Sequence, residues 1–117
     1  MDWMKESLIE QRLVAGLSAH GFKVLKLTCP GTNGVPDRMI LRPVWSPGAP
    51  MYIELKAPKK HERRLQEIIR GEWRARGLKV LDAVNTYEQV DAIIGVLVSI
   101  AEDERPVPTP QQLWDML

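Results

Sequence analysis

Asp37 closes the short run Val35-Pro36-Asp37, and after sixteen intervening residues stands Glu54-Leu55-Lys56. Alternate residues of an extended strand share a face, so Glu54 and Lys56 project together if that segment is a strand. An aspartate facing them from a neighbouring strand makes two carboxylates and an amine. Two carboxylates suit a hard divalent cation, and a lysine beside them holds or activates a water. That is the minimum equipment for metal-dependent cleavage of a phosphodiester. The bland alternative is a surface ion pair between Glu54 and Lys56 with a turn aspartate after Pro36, since PD and E-x-K are short patterns that arise by chance. Three features favour the site. Asp37 opens the apolar run Met39-Ile40-Leu41, Glu54 follows Tyr52-Ile53 in a strand pattern, and a glycine-rich segment ending in Gly34 offers close backbone approach to a substrate strand.

The elements that must position these residues are legible in the pattern. Residues 2–19 read as a helix stopped at Gly21, and residues 22–28 as a strand. Residues 29–36 hold two prolines and two glycines and read as a loop. Residues 37–41 predict a strand buried on both faces, residues 43–50 a hairpin turn, and residues 51–55 a third strand. In that strand Met51, Ile53 and Leu55 take one face and Tyr52, Glu54 and Lys56 the other. A second helix spans 61–76 before Gly77, a fourth strand 78–84, and a third helix, capped by Thr86, about 87–101. Thr109-Pro110 with Gln112 predicts a short terminal helix carrying Leu113, Trp114 and Leu117. The order predicts an α/β layered domain of 1–104 followed by a proline-rich tail of 105–117. Its first three strands are antiparallel, and a crossover through the second helix brings the fourth in parallel.

Two helices contribute further candidates. At about 100° per residue, Glu10 falls between Trp3, Leu13, Val14 and Leu17 on an apolar face, where a carboxylate is costly unless paired or bound to a metal. Glu6 has a weaker claim and is expected to reach solvent. In the second helix Leu65, Ile68, Ile69 and Trp73 predict the buried stripe, with Arg63, Arg70 and Arg74 on another face. Gln66 lies at the border, able to bond a phosphate or orient Lys56, although a plain surface amide is an equal alternative. His20 and His61 have no evident catalytic partner. Trp73 reads as core, and Trp3, Trp45 and Trp114 as turn or tail packing.

Composition limits the classes of function. The chain has 117 residues, 44% of them hydrophobic and 26% charged, which suits one folded domain. No segment has membrane-span length, and the N-terminal residues do not resemble a signal sequence. A single cysteine, Cys29, excludes an internal disulfide and a cysteine zinc site, and fits a reducing compartment such as the cytoplasm of a bacterial or phage-infected cell. The net charge of +1 hides an asymmetry: residues 56–79 hold 9 Lys or Arg against 3 Glu, whereas Arg105 alone faces seven acids from residue 81 onward. A cationic block starting at the acid cluster suits a polyanion, although most such runs are merely solvated helix faces.

With Ile9-Glu10 before Leu13-Val14, Gly34-Val35-Pro36-Asp37-Arg38, Ile53-Glu54-Leu55-Lys56, and Gln66 ahead of Trp73 and Gly77, the chain resembles a stand-alone VRR-NUC domain of the PD-(D/E)XK nuclease superfamily. The resemblance runs from about Glu6 to Asp91. It implies a restriction-endonuclease-like core, a mixed sheet of about four strands flanked by helices. It further implies a Mg2+ or Mn2+ ion on Asp37, Glu54 and the Leu55 carbonyl, with Glu10 binding directly or through water and Lys56 positioning the nucleophilic water. Stand-alone members are similar to Holliday-junction resolvases, which implies a homodimer acting on branched DNA. The catalytic set expected is therefore Glu10, Asp37, Glu54, Lys56 and Gln66, with Lys59, Lys60, Arg63, Arg70 and Arg74 gripping the DNA backbone. The competing expectations are a non-catalytic nucleic-acid-binding module and an interaction domain of a repair complex. The third helix, apolar on most sides, is the sequence's own hint of a dimer.

Overall fold

A computed structural model describes residues 6–31, 34–56, 64–81 and 84–117. The elements are α1 (Glu6–Ser18), β1 (Lys23–Lys26), β2 (Arg38–Leu41), β3 (Met51–Ile53), α2 (Arg64–Ala75), β4 (Lys79–Val80), α3 (Tyr87–Asp103) and α4 (Pro110–Asp115). The four strands form one sheet in the order β1-β2-β3-β4. β1–β2 and β2–β3 are antiparallel and β3–β4 parallel, as expected from short links before β3 and a helical crossover after it. A parallel bridge between Leu55 and Val84 carries the last pairing beyond the named strands.

In α1, Ile9, Leu13 and Leu17 recur at four-residue spacing and are fully buried. They join Phe22, Ile40, Met51, Ile53, Leu55, Val84, Val90 and Ala101 in one core. The inward residues of β3 are Met51 and Ile53, so α1 and α3 cover that face of the sheet. α1 and α3 meet closely at Gly16, where a Cβ would collide with Ile94 Cδ1. Arg12 clamps the pair from outside, donating to Asp91 at 2.8 and 2.9 Å. α1 and α2 both end in Schellman turns. The Phe22 N–H returns to the Leu17 carbonyl at 3.1 Å and the Leu78 N–H to the Trp73 carbonyl at 3.1 Å, around Gly21 and Gly77. Thr86 and Thr109 each form a full capping box with Gln89 and Gln112.

α2 covers the opposite face, with Trp73 meeting Tyr52 edge-on at 5.0 Å between ring centroids. Its orientation corrects the expected stripe. Leu65 and Ile68 are 44% and 54% exposed, Ile69 and Trp73 are half-buried, and Arg70 is buried. The inward line is Gln66, Arg70 and Trp73, spaced i, i+4, i+7, because the sheet face beneath α2 carries Tyr52 and Glu54 rather than aliphatic residues. The strand over residues 37–41 is likewise not buried on both faces: Arg38 and Ile40 are buried, while Met39 and Leu41 are half-buried.

Gly34 has φ +84°, and a Cβ there would lie 2.9 Å from Leu65 Cγ and 3.2 Å from the Leu65 carbonyl oxygen. The close approach expected for a substrate strand is therefore taken by the protein's own helix. Gly34→Ala is expected to cost about 1–3 kcal/mol, combining left-handed strain with a clash against backbone. Urea unfolding checks this, and a change below about 0.5 kcal/mol would contradict it.

Beyond α3 the chain exposes apolar side chains: Val107, Leu113, Trp114 and Leu117 are 87%, 51%, 72% and 99% exposed. Trp45 is half-buried, donating to the Ala101 carbonyl at 3.1 Å with the Arg105 guanidinium over its ring. Among the described residues, no helix is long and apolar enough to cross a membrane.

Candidate active site

The β2–β3 register pairs Arg38 with Ile53 and, continued by one residue, sets Asp37 opposite Glu54. Two acids across one strand pair repel each other, an arrangement that sheets avoid. Both are well covered, the Glu54 side chain being only 8% exposed and that of Asp37 27%. Burial, the larger cause, raises the pKa of Glu54, and the neighbouring Asp37 charge adds to it; Lys56 pulls it back. Burial also raises the pKa of Asp37, against the Leu55 N–H, Arg38 and Lys56, which favour its charged form.

The backbone fixes where these acids point. Asp37 Oδ1 accepts the Leu55 N–H at 3.1 Å, and the Asp37 carbonyl accepts the Leu27 N–H at 2.8 Å. On the other edge of the strand, the Glu54 carbonyl accepts from the Val84 N–H at 2.9 Å and the Lys56 N–H donates to the Val84 carbonyl at 2.8 Å. In an extended segment a residue's N–H and C=O leave on the same edge. The Leu55 carbonyl is thus directed to the Asp37 side, where the resemblance places a metal ligand.

Glu54 Oε1 receives the Gln66 amide at 2.9 Å and lies 3.4 Å from Lys56 Nζ. Its Oε2 is buried and accepts no hydrogen bond among the described residues. A buried carboxylate oxygen without a donor, beside a second carboxylate and a peptide oxygen, is a donor set suited to a hard divalent cation. The residues present fit the Mg2+ or Mn2+ that the resemblance implies.

Glu10, expected to bind the metal directly or through water, is engaged by Arg38. Arg38, 4% exposed, reaches it with Nη2 at 2.8 Å from Oε2 and Nε at 3.2 Å from Oε1. The same guanidinium touches Asp37, with Nη1 3.1 Å from Oδ2 and 3.0 Å from the carbonyl oxygen. The hydrogen bonds from Arg38 hold the pKa of Glu10 below the usual carboxylate range. Burial opposes the charge of Arg38, but Glu10 and Asp37 outweigh it and its pKa is raised. No three acidic, histidine or cysteine side chains converge on a point that could hold a metal among the described residues. The structure therefore gathers Asp37, Glu54, Lys56 and Gln66, and turns Glu10 toward Arg38.

Two expected DNA contacts need revision. Arg70 is 8% exposed and lies on the inward line of α2, so it is not a solvent-facing cation. Arg74 Nε and Nη2 donate to the Val80 carbonyl at 2.9 and 2.6 Å, tying α2 to β4. Lys59, Lys60, Arg63 and His61 lie outside the described residues, as does Trp3. Arg38 appears in the sequence only as the residue after Asp37. Its signal is that Ile40, two residues on, points into the core, so Arg38 must point there as well and needs acids around it.

No family model matches the sequence, and no curated protein matches it as a relative. A solved structure described as a VRR_NUC domain is similar to it with a TM-score of 0.67 and 24% identity, over 79% of this chain and 97% of that one. The mixed four-stranded sheet and its flanking helices match that structure: this chain has the fold of the VRR_NUC domain.

Proposed function

We propose that the protein is a metal-dependent DNA endonuclease that selects branched DNA and works as a homodimer. The observation that carries the catalytic part is the opposed pair of half-buried Asp37 and buried Glu54, with Glu54 Oε2 accepting no hydrogen bond among the described residues and Lys56 Nζ 3.4 Å from Oε1. Asp37, Glu54 and the Leu55 carbonyl would hold one Mg2+ or Mn2+, which supplies Lewis-acid polarisation of a phosphoryl oxygen. The chain's own residues provide the rest. Gln66 holds Glu54 Oε1 from α2, which would leave the buried Oε2 to the ion. The Leu55 N–H fixes Asp37 across from it. Lys56, anchored by Glu54, positions the attacking water and balances the negative charge that builds on the phosphate.

Backbone gripping falls to Lys59, Lys60 and Arg63, which join Lys56 to α2 in the sequence, with Arg70 withdrawn from that role by its burial. Phosphate contacts position a duplex without reading its bases, in keeping with recognition by shape. Support for a dimer comes from α3, where Val96 and Ile100 are 59% and 44% exposed beside an apolar cavity lined by Leu81, Ala92, Ile93, Val96 and Leu97. Two copies related by a two-fold axis would present two sites to the two strands of a junction.

The test is cleavage of four-way junctions, flaps, nicked and linear duplexes with Mg2+ or Mn2+, with light scattering on the same sample. Junctions or flaps should be cut at least about tenfold faster than linear duplex, by a dimer. Equal rates on all substrates would end the claim of shape selection, and a monomer at micromolar concentration would end the dimer. Binding without cleavage of any substrate would favour a non-catalytic DNA-binding module.

A further inference from the structure

Arg38 is the most enclosed cation of the site: its side chain is 5% exposed and bridges Glu10 on α1 to Asp37 at the start of β2. Among the described residues, three acids, Glu10, Asp37 and Glu54, and two cations, Arg38 and Lys56, are joined in one cluster of ion pairs and facing charges. Glu6 acts on Arg38 and Lys26 on Glu10 from farther away, one charge of each sign. The cluster is thus short of one positive charge. One divalent ion turns the deficit into an equal excess, which a phosphodiester anion neutralises. A second divalent ion beside Arg38 would leave a large uncompensated positive charge in a covered site.

We propose that Arg38 is a positioning residue that stands as a fixed cation between Glu10 and Asp37, so that the site takes a single divalent ion at Asp37 and Glu54 and Glu10 acts through the guanidinium rather than on the metal. Geometry supports the division of labour. The planar fork engages both Glu10 oxygens, leaving that carboxylate with its strongest acceptor directions already used. The same guanidinium reaches Asp37 Oδ2, while Oδ1 is held by the Leu55 N–H, so Asp37 is oriented from two sides. Glu10 thereby keeps Arg38 in place, and Arg38 keeps Asp37 in place.

This inference rests on the metal-dependent reading above, and its test separates the two. Mn2+ alone is titrated into the full chain without DNA, counting bound ions by calorimetry and by the paramagnetic resonance signal of free Mn2+. Wild type should bind one ion per chain. Glu10→Gln should still bind one, with affinity lowered by less than about tenfold, because Glu10 acts through Arg38 and is not a ligand. Arg38→Met, which keeps length and removes charge, should bind two, and Arg38→Lys should return the count to one. Two ions on the wild type, a tenfold or greater loss of affinity in Glu10→Gln, or a folded Arg38→Met that still binds one ion would each overturn the inference and leave the metal-dependent reading standing. No Mn2+ bound to wild type would overturn both. Should Arg38→Met fail to fold, the wild-type count and Glu10→Gln decide.

Discussion

Asp37→Asn is expected to lower Mg2+-dependent cleavage by about 1,000-fold or more, a loss of roughly 4 kcal/mol of transition-state stabilisation. Asparagine keeps an oxygen to accept the Leu55 N–H, which Asp37 Oδ1 accepts at 3.1 Å, so β2 and β3 should stay in register. What it removes is one of the two opposed charges that make the site a cation trap. Lys56→Ala should cost about 100- to 10,000-fold by removing the cation beside Glu54 while leaving the carboxylate pair. Single-turnover cleavage of a four-way junction measures both, and circular dichroism confirms the fold. Wild-type rates in either variant would contradict the assigned roles.

Glu54→Gln carries the second large effect, and its two parts have opposite signs. Cleavage should be lost, while the metal-free protein should become more stable. The folded-state pKa of Glu54 is raised by burial and by Asp37, so its charge opposes folding at neutral pH. The sign follows from proton linkage: the folded protein holds that proton more tightly than the unfolded chain, so stability rises as pH falls through the raised folded-state pKa, and is fully gained below the unfolded value. Asp37 is shifted in the same direction by its burial and adds to the trend. Glutamine keeps the acceptor for the Gln66 amide, bonded at 2.9 Å, and removes the charge. Thermal melts in EDTA should show Glu54→Gln about 2–6 °C above wild type at pH 7.5, with the gap narrowing toward pH 5. A lower melting midpoint at pH 7.5 would contradict the electrostatic account. A function that needs two repelling carboxylates is here a cost that only a bound cation offsets.

The parts of this arrangement that were legible in the sequence are those governed by near neighbours. Thr86 caps α3 and Thr109 starts α4 as expected, because a cap and the amides it serves lie on the same turn. The directions of the strands followed from the lengths of the links between them. Asp37, Glu54 and Lys56 were brought together by strand alternation and register, which the sequence also carries. What was not legible depended on which face an element turns inward. α2 has an aliphatic stripe at Leu65 and Ile68, yet it turns Gln66, Arg70 and Trp73 inward because the sheet beneath it presents Tyr52 and Glu54. Hydrophobic periodicity reports a helix's own preference and says nothing of the polar surface it must meet.

Glu10 shows the same lesson in another form. Its place on an apolar face of α1 marked it as a carboxylate in need of a partner. Arg38 meets that need, although it stands 28 residues away. Gly34 read as room for substrate because glycine leaves space, and the space is filled by Leu65. In each case the residue was singled out for a sound physical reason, and the partner that satisfied it lay in another element.

The most direct test of the central claim is cleavage of an end-labelled four-way junction by the wild-type protein in EDTA and after addition of excess Mg2+. The carboxylate pair with Lys56 predicts no cleavage in EDTA and cleavage restored by Mg2+, with products ending in 5′-phosphate or 3′-phosphate but no religated strand. Cleavage that persists in EDTA, or none in either condition and none with Mn2+, would contradict it.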